Sequence, residues 1–262
     1  MSCQHTFDNK GLQYACLNRC METLRQAYEE LGRVAIVEES QDHRPWLLVL
    51  NTLLFSRETV DSVRSLLKQG KFIQAAILAR SMFEVACSVL WSRRKPDGVN
   101  KLWADWLDMD IRWANDAIGV PRFKEAAEKK KRECEKELSS LGFDPARRSK
   151  EAPYVPNMCK MLLEIQQADE KQGAGPPPEG FQFLEYNIYR ELSAYAHCNM
   201  TIVNPLTPRE AVVNNVLAAC IYSTWNLMRS LAGFQGINLE EREESLLDLF
   251  KGWQTASSEA AE

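Results

Sequence analysis

Tyr186-Asn-Ile-Tyr-Arg190-Glu-Leu-Ser-Ala-Tyr-Ala-His197 reads as a helix whose two faces differ in chemistry. At about 100° per residue, with Arg190 at zero, Phe181, Leu184, Ile188, Leu192 and Tyr195 gather about 150° away. Such an apolar stripe is what a core-facing helix shows. Tyr186, Arg190, Ala194 and His197 lie near zero, with Ser193 at the margin. Arg190 and His197 are seven residues apart, about two turns, so their side chains rise from one line. His197 is one of three histidines in the chain.

The same periodicity extends outward in both directions. Leu12, Cys16, Cys20, Leu24, Tyr28 and Leu31 repeat at helical spacing over residues 9–31, and Gly32 is a stop. Val34 to Arg44 is a connector, with Val34 to Val37 readable as a brief extended piece. Pro45 opens a helix over Trp46 to Leu67, where its missing donor costs nothing, and Gly70 ends it. A third helix spans 71–94, its apolar stripe read as Ile73, Ala76, Ile77, Phe83, Cys87 and Trp91. Arg80 and Glu84 fall on that stripe. Pro96-Asp-Gly98 is a turn. Asn100 to Leu141 divides into two helices near Gly119-Val-Pro121. The first carries Trp103, Trp106 and Trp113, and the second is laced with acid–base pairs.

Leu141 to Pro156 is irregular, and a shorter helix covers Asn157 to Glu170. A Pro/Gly-rich loop spans 173–180, and the Arg190 helix follows, ending near Asn199. Thr207 and Pro208 can start the next helix. That helix runs to Leu231 and is apolar on most sides, with Val212, Val213, Val216, Leu217, Cys220, Ile221, Trp225 and Met228, which marks it as central. Leu239 to Trp253 is a short amphipathic finish, and 255–262 is a frayed tail. Alternating strand patterns are nearly absent. The expectation is an all-α, single-domain bundle of about eight helices over 1–262, with its core over about 45–231.

Composition bounds the function. The chain has 262 residues, 45% hydrophobic and 26% charged, with a net charge of −4. It is long enough to bury a core without disulfides or metal, and no overall basic field argues for nucleic acid. The eight cysteines include Cys87, Cys159 and Cys220 within apolar helical patterns, read as reduced buried hydrophobes. Cys3, His5, Cys16 and Cys20 lack the spacing of a zinc finger, so no metal and no cofactor is expected. The N-terminus lacks a basic region followed by an apolar run, so no signal peptide is expected. The most apolar stretch, Ala75 to Trp91, is broken by Arg80 and Glu84. A cytoplasmic protein without membrane association is expected. Lys129 to Arg132 alternates with glutamates and reads as a solvated face. Arg147-Arg-Ser-Lys150 is the better basic run for phosphates. The chain has no Gly-rich phosphate loop, no His-Glu-x-x-His and no Gly-x-Ser-x-Gly.

Two constellations remain. Arg80 and Glu84, on an apolar stripe, form either a buried intrahelical ion pair or part of a pocket. Arg190 with His197 suits phosphodiester chemistry. A guanidinium holds phosphate by two parallel hydrogen bonds, and an imidazole moves protons near neutral pH. The same groups could equally form a structural Arg/Glu/His network in a non-enzymatic binding module.

Arg190-Glu-Leu-Ser-Ala-Tyr-Ala-His197 resembles the motif of the HEPN superfamily, an Arg and a His separated by four to six residues. The resemblance implies a helical bundle and a metal-independent ribonuclease of toxin or defence type, with the site commonly formed across a homodimer. It makes Arg190 and His197 catalytic and RNA the substrate, with an antitoxin or other protein as a further partner. The residue after the Arg is typically polar in that family; here it is Glu191. Glu191 or Glu84 would orient the histidine, and Tyr186 or Tyr195 would stack on a base. The chain also resembles a group of uncharacterised bacterial helical proteins. That likeness rests on Ala75-Ala-Ile-Leu-Ala-Arg80-Ser-Met-Phe-Glu84 and Tyr189-Arg-Glu-Leu-Ser193-Ala-Tyr-Ala-His197, where Ser193 and His197 are the more characteristic positions.

Overall fold

The computed structural model describes residues 5–34, 43–146, 154–171, 181–196, 209–232 and 234. Among them the chain forms eight α-helices and one 3-10 turn, and no strand. The helices are α1 (His5–Val34), α2 (Arg44–Lys68), α3 (Phe72–Arg94), α4 (Gly98–Ile118), α5 (Lys124–Ser140), α6 (Met158–Lys171), α7 (Phe181–Ala196) and α8 (Arg209–Ser230). The all-α expectation holds. The extended piece at 35–37, the 173–180 loop, the Thr207–Pro208 start, Arg147–Lys150, the 239–253 finish and the tail lie outside the described residues. The chain falls into two compact units, one of residues 1–90 with 173–262 and one of residues 91–172.

In the first unit α8 is central, as its all-round apolarity predicts. It packs against α1, α2 and α7, with Val216, Leu217, Cys220, Leu227 and Met228 sealed from solvent. Its buried hydroxyls bond to their own helix: Ser223 Oγ donates to Ala219 O at 2.6 Å and Thr224 Oγ1 to Cys220 O at 2.8 Å. That back-bonding lets a polar side chain sit in a core without an orphaned donor. α1 and α2 form an antiparallel pair. It is tied at one end by Trp46 Nε1 donating to Leu31 O (3.0 Å) and near the other by Arg64 donating to Asn18 Oδ1 (2.9 Å). Gly70, at φ +72, ends α2: the Lys71 N–H reaches Leu66 O at 2.9 Å and the Gly70 N–H reaches Leu67 O at 3.1 Å. Glycine takes that left-handed turn without a Cβ penalty.

Cys16 and Cys20 of α1 are core residues. Burial pushes the Cys20 thiol up to about 12, against a hydrogen bond with Thr224, and the Cys16 thiol up to about 11. Cys87 and Cys220 are likewise buried, as read from the sequence, but Cys159 is exposed. It lies at the start of α6, just after Met158, on the side away from Met161, Leu162 and Ile165.

The expected α3 stripe is buried at Ala76, Phe83, Cys87 and Trp91 but not at Ile73 and Ile77. The buried face of α3 is Ala75, Ala76, Ala79, Met82, Phe83, Ala86, Cys87 and Leu90. Ile73 and Ile77 are exposed, and they share an edge with Arg80 and Glu84. Four alanines lie on that face beside Met82, Phe83 and Leu90, and the two isoleucines lie at its margin. By length and composition α3 could cross a membrane, yet half of its apolar window is buried inside the fold.

The second unit is built on the α4–α5 hairpin. Ala104, Leu107 and Ile111 of α4 meet Cys134 and Leu138 of α5, and Tyr154 closes that cluster. The divide near Gly119-Val-Pro121 falls as expected, with a 3-10 turn at Pro121–Phe123. α5 keeps only Ala127, Cys134 and Leu138 inside, so Lys129 to Arg132 is a largely solvated face as read. At the other end of the unit, Trp91 Nε1 donates to Glu164 at 2.8 Å and Arg94 pairs with Asp169 at 2.7 Å.

Gly98 opens α4, and a Cβ there would fall on the Ser92 backbone, 2.6 Å from its Cα and 2.8 Å from its carbonyl carbon. Both atoms are main chain, so no side chain can swing aside. Gly98→Ala is therefore expected to destabilise this unit by about 2–3 kcal/mol, although alanine gains up to about 1 kcal/mol in helix propensity. Equilibrium denaturation checks it. An unchanged midpoint would mean that the helix start shifts freely.

Candidate functional site

α7 presents the two faces its sequence implies. Ile188, Leu192 and Tyr195 are buried, and they hold the helix on α8. On the other side Arg190 and Glu191 are exposed, while Tyr186, Ser193 and Ala194 are half-buried. Arg190 makes no hydrogen bond or ion pair among the described residues. Ser193 Oγ donates to Tyr189 O at 2.7 Å, which occupies its proton within the helix. His197 lies one residue beyond the described end of α7. The side chains of Phe181 and Leu184 also lie outside the described set.

The rings of Tyr186 and Tyr189 stack at 6.4 Å with planes 29° apart. The Arg80 guanidinium lies 5.7 Å from the Tyr189 ring centre, a separation at which a cation is drawn to the ring quadrupole. Arg80 Nη2 also donates to Glu84 Oε1 at 2.7 Å, with the two side chains 17% and 34% exposed. The pair is thus half-buried at the edge of α3, and not sealed in its core stripe. Arg80 Nε is buried without a hydrogen-bond partner.

These facts sort the site residues expected from the sequence. Arg80, Glu84, Tyr189 and, through ring stacking, Tyr186 form one connected patch across α3 and α7. Arg190 and Glu191 stand apart from it on the open face. Glu84 is committed to Arg80. Tyr195 has its ring on the core face, where burial raises its hydroxyl pKa and the nearby Glu191 charge adds to the effect. A buried ring cannot stack on a base, so Tyr195 is withdrawn from that role and Tyr186 keeps it.

A group the sequence reading passed over is Glu185, only 6% exposed. It sits on the α7 core face and its charge reaches Cys87 of α3 and Tyr222 of α8. Burial first, and then that carboxylate, push both groups above their ordinary values. Around them Asn226 Nδ2 donates to Cys87 Sγ at 3.6 Å, and Arg229 donates to Asn226 Oδ1 at 3.2 Å. The signal was in the sequence: Glu185, Ile188, Leu192 and Tyr195 recur at core spacing, so a carboxylate there falls on the buried face. Asn226 and Cys87 thus join α8 to α3 by a polar contact, and the Glu185 charge of α7 acts on both helices.

No group of three or more histidine, cysteine or acidic side chains among the described residues is arranged to hold a metal ion. No curated protein and no solved structure matches the chain. Residues 47–206 match the sequence model of a family of unknown function, DUF5677.

Proposed function

We propose, for a chain that belongs to the DUF5677 family of unknown function, that it cleaves RNA without a metal, through Arg190 on the open face of α7 and His197. Family membership carries no activity with it. The observation that supports the reading is the exposure of Arg190 on a helix whose opposite face is anchored in the core. A cation meant to bind an anion must be open and uncommitted, and Arg190 is exposed and without an ion-pair partner among the described residues.

On this reading Arg190 holds the scissile phosphate by two parallel hydrogen bonds. The 2′-oxygen of the preceding ribose attacks phosphorus and its proton passes to solvent. The bond from phosphorus to the 5′-oxygen breaks, and His197 gives that oxygen a proton. The products are a 2′,3′-cyclic phosphate and a 5′-hydroxyl. Tyr186 supplies a ring for an unpaired base. Glu191, next to Arg190 in the sequence, would orient the imidazole. The resemblance to the HEPN superfamily adds a homodimeric site, a cytoplasmic toxin or defence role in bacteria, and an antitoxin as partner.

The test is cleavage of mixed-sequence RNA in excess chelator. Wild-type protein is expected to leave cyclic phosphate ends. Arg190→Ala and His197→Ala are each expected to lose about a hundredfold in rate. Arg190→Ala should keep its melting behaviour, since substitutions of exposed side chains usually fall within about 0.5 kcal/mol. Equal cleavage by wild type and both variants would mark a contaminating nuclease and overturn the assignment.

One observation favours a second reading, a non-enzymatic helical module. The Arg80–Glu84 pair and the Arg80–Tyr189 contact tie α3 to α7 without engaging Arg190. Were this the whole role of the patch, Arg80→Ala would destabilise the first unit, and no RNA would be cleaved by any variant.

A further inference from the structure

α4 has two apolar seams, and only one of them is used. The inner seam, Ala104, Leu107, Ile111 and Ala114, is buried. The outer seam, Leu102, Trp106, Met109 and Trp113, recurs at spacings of four, three and four. Its last three members are 46%, 52% and 57% exposed. That spacing is the a/d repeat of a helix meant to pack along another helix. Large exposed apolar side chains grouped along one face mark an interaction surface.

The flanking charges say which helix. Asp105 and Arg112 lie on the same edge of the outer seam, seven residues apart. Asp105 has no hydrogen-bond or ion-pair partner among the described residues. Burial raises its carboxyl pKa, with the Arg112 charge acting the other way. Arg112 is held by Asp108 at 2.7 Å yet remains about half exposed. The opposite edge carries Asp110, bound to Lys130 at 2.9 Å, with Lys130 also 5.6 Å from the Trp106 ring centre.

We propose that the outer seam of α4 is the docking surface for a second copy of this chain, the two α4 helices running antiparallel about a two-fold axis. With the axis passing between Leu107 and Asp108, Leu102 meets the partner's Trp113 and Trp106 meets the partner's Met109. The symmetry repeats each layer once. In an antiparallel seam the flanking positions meet their own kind, so Asp105 faces the partner's Arg112 and Arg112 faces the partner's Asp105. A parallel pairing would instead set Asp105 towards the partner's Asp110, like against like. The helix is thus complementary to its own reverse, in charge as well as in apolar spacing. This surface uses neither Arg190 nor His197, so it stands whether or not the chain cleaves RNA.

Sedimentation or light scattering of the full chain tests it. Wild type is expected at twice the 30.0 kDa chain mass. Asp105→Arg and Arg112→Asp, each placing like charges across the two-fold, are expected to weaken the dimer at least tenfold. The double variant Asp105→Arg/Arg112→Asp, which restores opposite charges, should dimerise again. Trp113→Glu should give monomers of unchanged helicity. A wild type that stays monomeric up to about 100 μM would overturn the proposal. So would a dimer indifferent to Trp113→Glu, or single variants that the double does not rescue.

Discussion

Asp169→Ala is expected to destabilise the second unit by about 3–5 kcal/mol, because it strands a buried cation. Arg94 Nε donates to Asp169 Oδ1 at 2.7 Å, and each side chain is only 12% exposed. The two groups come from the last turn of α3 and the last turns of α6, so the pair clamps elements far apart in sequence. Inside the unit the attraction between the charges offsets much of their desolvation, and neither charge is tolerated alone. Replacing both partners by apolar residues of similar size gives a different outcome. Arg94→Met/Asp169→Leu is expected to sit within about 1–2 kcal/mol of wild type, on either side. Equilibrium denaturation of the two variants beside wild type decides it. A single variant no worse than the double would mean that the Arg94 guanidinium escapes to water.

How much of this was legible is itself a matter of physics. Helix positions followed from periodicity and stop signals: Pro45 at the start of α2, Gly70 after it and the break at Gly119-Val-Pro121 all fall where the chain turns. These are local signals, set by backbone geometry, and they survive into the fold. The burial of α8 was equally plain, since nearly every face of it is apolar. On α3 the expected stripe holds at Ala76, Phe83, Cys87 and Trp91 and fails at the two isoleucines. Alanines define the buried stripe there, and Ile73 and Ile77 are left outside. Which face packs closest depends on how near a neighbouring helix comes, which the spacing does not contain. Cys159 was misread for a related reason, since an apolar helical pattern does not say on which edge a small residue ends.

At the site the two-faced character of α7 was readable and is observed. What lay beyond reach was the pairing across helices. Arg80 reaching the Tyr189 ring and Glu185 acting on Cys87 and Tyr222 both depend on how α3, α7 and α8 dock. Arg80 and Glu84, once candidates for the chemistry, satisfy one another at an edge. Arg190, on the open face of α7, has no such partner among the described residues.

Phe83→Ala is expected to cost about 3–5 kcal/mol, towards the upper end, and the alanine stripe is the reason. Phe83 is among the largest fully buried side chains of the chain. Of its neighbours one turn away on α3, Ala79, Ala86 and Cys87 are small and buried, and Arg80 is paired with Glu84. Truncating an aromatic ring removes its transfer free energy and also leaves a cavity, and the cost grows with the volume that stays open. Flexible neighbours such as methionine or lysine stems can swing into a gap, whereas alanine has no side-chain torsion with which to fill one. Met82 can extend, but its direction from the axis is about 100° away, and Arg80 and Glu84 are held to one another at 2.7 Å. Phe83→Leu, which keeps most of the volume, should cost about 1–1.5 kcal/mol. Unfolding midpoints of the two variants measure the difference. A cavity that stays open and apolar should also take up a small aromatic molecule, so benzene should raise the melting temperature of Phe83→Ala and leave Phe83→Leu unmoved. Equal costs for the two substitutions would show that the helices around α3 close the gap, and that the alanine stripe is less rigid than its packing implies.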